Sequence, residues 1–135
     1  MIFGIGTDIL EISRIDKILK KYNQTFVSRI FGSNEIKIIE NKSKNMSLFL
    51  SKRFAAKEAL WKALSPERGD GLIFKEIEIL NNTNGKPYLF FSGSTQKYIM
   101  NKEIELNNKL IFDISISDEP PYVLAFVVIS LAPLV

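Results

Sequence analysis

Glu58 and Lys62 stand one helical turn apart in the segment RFAAKEALWKAL, residues 53–64, and a second carboxylate, Asp8, follows two glycines in MIFGIGTD at residues 1–8. Carboxylate oxygens are what Mg²⁺ selects, and the ion usually takes one or two protein carboxylates plus water and substrate phosphates. A lysine one turn from such a carboxylate would face the same phosphates. The plainer alternative for Glu58 and Lys62 is a helix-surface ion pair, worth roughly 0.2–0.5 kcal/mol in this i, i+4 order. Asp8 by itself is equally a turn or capping aspartate.

The helix that carries the pair weakens the surface reading. On a wheel Leu50, Phe54 and Trp61 share one sector, Phe49, Ala56 and Leu60 a second, and Leu48, Ala55 and Ala59 a third. A helix apolar on most sides is buried, and charges taken inside without further partners are costly. Asn45 or Ser47 is expected to cap it, and it should end at Leu64 before Pro66.

Asp8 is expected at the end of an N-terminal strand, with Gly4 and Gly6 leaving open space on its face. Ser13 then offers an N-cap with Asp16 three residues on, opening a helix with Ile15, Ile18, Leu19 and Tyr22 at helical spacing. The segment QTFVSRIFGSNEIKIIENK reads as two short helices broken at Gly32, with Ser33 or Asn34 capping the second. Alternation at Glu76, Ile77, Glu78 and Ile79 predicts a half-exposed strand, and NNTNG followed by KPYLFF completes a hairpin. STQKYIMNKEI reads as a helix, and KLIFDISIS with YVLAFVVIS as two strands joined through the turn prolines of DEPP. The YVLAFVVISLAPLV run is too short to span a bilayer and is expected to be a buried strand with a short tail. The order of elements predicts an α+β fold, one domain over residues 1–135, with a largely antiparallel sheet against the long buried helix.

Composition narrows the chemistry. The 135 residues, 46% hydrophobic and 24% charged, are those of a soluble globular protein. There is no cysteine and no histidine, which excludes thiol nucleophiles, zinc–thiolate sites and the usual general base. A net charge of +3 suits an anionic ligand or an acidic partner. No basic n-region precedes the first apolar run, so a signal peptide is not expected, and a cytoplasmic location is.

Four segments together resemble the small bacterial holo-[acyl-carrier-protein] synthases of the 4′-phosphopantetheinyl transferase family. They are GIGTDILEISRI with Asp8 and Arg14, FVSRIFGSNE with Arg29, Phe31 and Glu35, the signature RFAAKEALWKAL, and NGKPYL. ISISDE resembles the family's Ser-x-Ser strand near the C-terminus. The resemblance implies transfer of phosphopantetheine from coenzyme A to a serine of apo acyl carrier protein, releasing 3′,5′-ADP, a step in fatty acid biosynthesis. It makes Asp8 and Glu58 Mg²⁺ ligands and Lys62 a contact to the coenzyme A phosphates. Arg53, Gly85, Lys86, Pro87 and Ser117 would bind coenzyme A, and Arg14 and Arg29 would meet the acidic carrier protein. Lys57, in a different sector from Lys62, is expected to be structural or at a subunit boundary. Family members of this size are homotrimers with sites between subunits.

Two departures stand out. The family's Ser-His followed by an acidic residue is Ser117, Asp118, Glu119 here, and a carboxylate facing a phosphate would repel it. The loop SPERGDG also replaces glycines that commonly follow the signature helix directly. Two other functions compete: a non-catalytic binder of an acidic partner through Arg14 and Arg29, and a nucleic-acid module. The latter lacks a basic stripe with interleaved exposed aromatics. No membrane association is expected.

Overall fold

In the computed structural model, which describes residues 1–42 and 44–134, the signature segment lies in α3 (Met46–Leu64), a 19-residue helix. Phe49, Leu50, Ala55, Ala56, Ala59, Leu60, Ala63 and Leu64 are all buried along it, as the wheel demands of a helix apolar on most sides. β1 (Ile2–Glu11), β5 (Tyr122–Ala132) and β4 (Lys109–Glu119) form an antiparallel sheet in that spatial order. One face of the sheet, with Leu10, Val123, Ala125, Val127 and Ile129, packs on α3.

α1 (Ile12–Ile30) and α2 (Ser33–Glu40) precede α3; β2 (Ile77–Asn81), β3 (Pro87–Phe91) and α4 (Gly93–Leu106) follow it. β2 and β3 make a separate antiparallel hairpin. The fold is α+β, with antiparallel sheets around a long buried helix.

Several local expectations change. β1 continues to Glu11, so Asp8 is an interior strand residue. Helix α1 starts at Ile12, and Ser13 donates to Glu11 rather than capping. It leaves helical geometry at Asn23 (φ 26°, ψ −98°), so QTFVSRI forms a second helical segment after RIDKILKKY, as the sequence divides it. Neither Asn45 nor Ser47 caps α3; Ser47 Oγ donates to Asp16 instead. The break at Gly32 is present, but α2 is capped by carboxylates: Glu35 accepts from Gly32 N–H at 3.0 Å, and Glu78 accepts from Glu35 N–H at 2.8 Å. That capping role draws Glu78 into the interior, so Ile77, Glu78 and Ile79 are all buried in place of a half-exposed alternation. Glu76 precedes the strand in a 3₁₀ turn, Phe74–Glu76, where it caps α4 through Thr95 N–H and Ser94 Oγ.

A fully buried ion pair joins these pieces. Lys57 Nζ sits 2.7 Å from Glu35 Oε1, with no side-chain exposure on either partner. The ammonium also donates to the carbonyls of Phe74 and Ile77, and the carboxylate accepts from Ile79 N–H at 3.0 Å. Burial pushes the Glu35 carboxyl up and the Lys57 ammonium down from their ordinary values, and each is opposed by the other's charge. Removing one partner strands the other's charge in the core. Lys57→Met is therefore expected to destabilise the chain by about 3–5 kcal/mol, read from the urea midpoint; a loss below about 1 kcal/mol would show that the pair is dispensable.

Candidate active site

Asp8 reaches the signature helix because β1 has no side chains where the two backbones meet. A Cβ built on Gly4 would collide with the carbonyl of Ala63, and one on Gly6 with the carbonyl of Ala59. The glycines thus do not leave open space beside Asp8, as expected from the sequence. The α3 backbone fills it, a close approach that only glycine on the strand allows. Asp8 lies on the same face as Gly6, opposite Ala125 of β5, beside the turn of α3 that carries Glu58 and Lys62.

Lys62 Nζ bonds the Thr7 carbonyl at 2.9 Å and Asp8 Oδ1 at 3.4 Å. The i, i+4 pair weighed from the sequence is not made: among the described residues Glu58 has no ion-pair partner. Glu58 is half-buried, and its pKa is raised first by that burial and then by the charge of Asp8, against opposing contributions from Lys62 and Arg14. Two carboxylates near enough for the charge of Asp8 to act on Glu58, with a lysine on their rim, are a hard-oxygen donor pair. Among the described residues no cluster of three or more acidic side chains exists. Two protein carboxylates, with the remaining positions left to water and phosphate, are the donor set Mg²⁺ takes, so these residues fit that ion.

Glu58 also borders an open groove of about 890 Å³ with Arg29, Trp61, Leu72, Phe74 and Lys75. Arg14 is near enough to Glu58 to act on its charge, which brings both arginines of the carrier-protein expectation to the Glu58 side of α3.

A second cavity, of about 580 Å³, gathers Arg53, Gly85 and Pro87 with Lys42, Phe49 and Lys52. Arg53 is held rigidly: Nε donates to the Ile79 carbonyl at 3.2 Å, Nη2 to Asn81 Oδ1 at 2.8 Å, and the guanidinium lies 3.7 Å from the Phe49 ring centre. Gly85 takes φ +86° in the turn between β2 and β3, which only a residue without Cβ adopts freely. Lys86, in the same turn, is exposed and does not line the cavity. Ser117 stands apart from the other coenzyme A candidates. Its register partner is Leu124, on the exposed face of the sheet, whereas Ile116 borders the cavity from the opposite face.

Sequence reasoning did not single out Lys42, Phe49, Lys52 or Asn81 for this cavity. Lys52 precedes Arg53 in α3, and both border the cavity because Ile79, Asn81, Gly85, Pro87 and Ile116, which no spacing rule along the helix relates to them, fold over this side of it. Asp118, which would repel a phosphate it faced, is paired with Lys52 at 2.8 Å.

The two parts of the site share no lining residue. A family model for the 4′-phosphopantetheinyl transferase superfamily matches residues 4–126. The chain belongs to that superfamily. A holo-[acyl-carrier-protein] synthase of Orientia tsutsugamushi (strain Boryong) is 42% identical over 131 residues, covering 96% of this chain and 98% of the relative. The crystal structure of holo-[acyl-carrier-protein] synthase from Neisseria meningitidis matches with a TM-score of 0.85 at 36% identity, over 96% of this chain and 99% of that one. The holo-(acyl-carrier-protein) synthase from Bacillus anthracis str. Ames, crystallised in complex with CoA (3′,5′-ADP), matches at 0.75 and 34% identity over 98% of each chain. The chain is an enzyme of this holo-[acyl-carrier-protein] synthase type. No helix among its described residues is long and apolar enough to cross a membrane.

The raised pKa of Glu58 has a consequence for stability. The folded chain holds this proton more tightly than the unfolded chain does, so ionising Glu58 disfavours folding, and that cost is present above its folded pKa. In metal-free buffer Glu58→Gln is therefore expected to be more stable than the parent at about pH 7. The gain should close as pH falls below the ordinary glutamate value, to about pH 3.5, where both states of the parent are protonated. Urea unfolding at the two pH values checks this, and a variant no more stable than the parent at neutral pH contradicts it.

Proposed function

We propose that the whole chain, acting as one catalytic domain, transfers 4′-phosphopantetheine from coenzyme A to a serine hydroxyl of apo acyl carrier protein. The reaction is Mg²⁺-dependent, releases 3′,5′-ADP, takes place in the cytoplasm and serves fatty acid biosynthesis. The observation that carries this reading is the juxtaposition of Asp8, Glu58 and Lys62 across the β1–α3 contact in a chain of this superfamily.

Phosphoryl transfer depends on positioning and charge neutralisation more than on covalent help from the protein. Asp8 and Glu58 would hold the ion, which would supply Lewis-acid neutralisation of the charge developing on the diphosphate. Lys62, whose side chain is 56% exposed, presents its ammonium to the same phosphates. Arg53, Gly85 and Pro87 would line the nucleotide portion of coenzyme A, the turn glycine allowing close backbone approach. Lys86 would reach that portion from the turn. Arg14 and Arg29 would meet the acidic carrier protein beside Glu58, at the groove that Trp61 and Phe74 line together with it.

The outer face of the sheet supports a homotrimer. Ile5, Ile9, Leu124 and Phe126 are 58%, 64%, 43% and 37% exposed on one side of β1 and β5, an apolar patch of the kind that marks an association surface. Copies of the chain covering it would place Ser117 at a subunit boundary. They would also bring the Arg53 cavity of one copy toward the Asp8 and Glu58 pair of another, consistent with two half-sites that share no wall.

Incubation of apo carrier protein with coenzyme A and Mg²⁺ should add a phosphopantetheine, seen by intact mass. Asp8→Ala or Glu58→Ala should slow the addition by on the order of 10²–10³. An active Glu58→Ala enzyme overturns the metal assignment, and salt-sensitive carrier binding without any mass gain favours a non-catalytic binding module. Phe126→Asp should convert the trimer to monomer in sedimentation and lower activity with it; a variant that sediments as the parent does excludes this face.

A further inference from the structure

α3 and β4 bring Lys52 and Asp118 together at the wall of the Arg53 cavity. The ammonium is 2.8 Å from Asp118 Oδ1, and the two side chains are 33% and 34% exposed. Lys52 borders the cavity along with Lys42 and Arg53, so three cations surround one space. Their commitments differ. Arg53 is fixed by the Ile79 carbonyl, Asn81 and the Phe49 ring. Lys42 lies 4.8 Å from the centre of the same ring. Among the described residues neither has an acidic partner within ion-pair distance, and Lys52 alone is tied to a carboxylate.

We propose that Asp118 limits the affinity of this cavity for the phosphates of its ligand by competing for the Lys52 ammonium. The proposal rests on the reading that the cavity takes the nucleotide end of coenzyme A. A phosphate entering beside Arg53 meets Lys52 already engaged. If Lys52 turns to the phosphate, the contact with Asp118 is lost. If Lys52 serves both oxygens, a carboxylate is left close to a phosphate of like charge, which is unfavourable at short range. Both routes lower affinity relative to a cavity whose three cations are free. The pair is partly exposed, and ion pairs of that kind are weak enough to open. Asp118 therefore sets how firmly the nucleotide is held and leaves binding possible. It acts through Lys52 and is an affinity-determining residue, not a catalytic one.

The test isolates the cavity from the metal ligands by titrating 3′,5′-ADP calorimetrically in EDTA against the trimeric full chain. Asp118→Asn keeps size and hydrogen bonding while removing the charge, and is expected to bind 3′,5′-ADP about three- to tenfold more tightly than the parent. Lys52→Met should bind more weakly than the parent. In the Lys52→Met background, adding Asp118→Asn should change affinity by less than about twofold, because the competition has lost its object. The KM for coenzyme A should fall in Asp118→Asn and rise in Lys52→Met, and thermal melting of each variant separates binding effects from misfolding. Parent binding with no tightening in Asp118→Asn overturns the proposal and leaves the nucleotide reading intact. Tightening that persists undiminished without Lys52 overturns it too, because Asp118 then acts as a bare field. Absence of parent binding, or binding unchanged by Arg53→Ala, removes the nucleotide reading and the proposal with it.

Discussion

Two glycines two residues apart let the backbone of α3 lie against β1 at Ala59 and Ala63, and the spacing of the Asp8 and Glu58 carboxylates depends on that contact. Asp8 belongs to a strand and Glu58 to a helix, so no local rule relates them. What relates them is the closeness of the two backbones, set where no Cβ stands between them. The small alanines on the facing side of α3 complete the fit. A bulkier residue at either strand position would push the helix away and move Glu58 and Lys62 together, since both ride on the same rigid element. The raised proton affinity of Glu58 reflects first its burial in this contact and then the charge of Asp8 beside it.

A second constraint holds α3 from its other side. The buried Lys57–Glu35 pair links α3 to the start of α2 and, through the carbonyls of Phe74 and Ile77 and the N–H of Ile79, to the segment entering the hairpin. Ile79 in turn accepts from Arg53, and Phe74 forms part of the groove beside Glu58. About three consecutive turns of one helix thus serve three purposes: Arg53 for the cavity, Lys57 for the core, Glu58 and Lys62 for the candidate site beside Asp8. Neighbouring residues 57 and 58 point to opposite fates because a helix turns about 100° per residue.

Much of this was legible in advance. The buried character of α3 follows from its wheel, the hairpin from NNTNG, the final strand pair from its turn prolines, and the α+β class from element order. The N-terminal segment pointed to Asp8, and the signature segment to Glu58 and Lys62, as candidates. Caps were the weakest part of the reading. Ser13, Ser33, Asn34 and Ser47 have the right chemistry to cap, yet α2 is capped by Glu35 and by Glu78, which is 43 residues beyond the N–H it accepts. One local and one long-range carboxylate outcompeted the hydroxyls, and the long-range one, Glu78, was drawn inside against its alternation. The C-terminal run was expected to be buried; β5 is buried on alternate residues only, because the single chain supplies a layer for one face of the sheet and none for the other.

By itself the sequence determined which groups are available. It removed histidine and cysteine, placed carboxylate and lysine one turn apart on a helix too apolar to be exposed, and put glycines ahead of an aspartate. Only the tertiary structure decided how these are paired: Lys62 with Asp8 instead of Glu58, Lys57 with Glu35, and Asp118 with Lys52. Helical periodicity reaches only a turn or two along the chain, whereas each of these pairs joins residues more than twenty positions apart. Their distances are set by how closely backbones pack, a property of the assembled elements that no single segment carries.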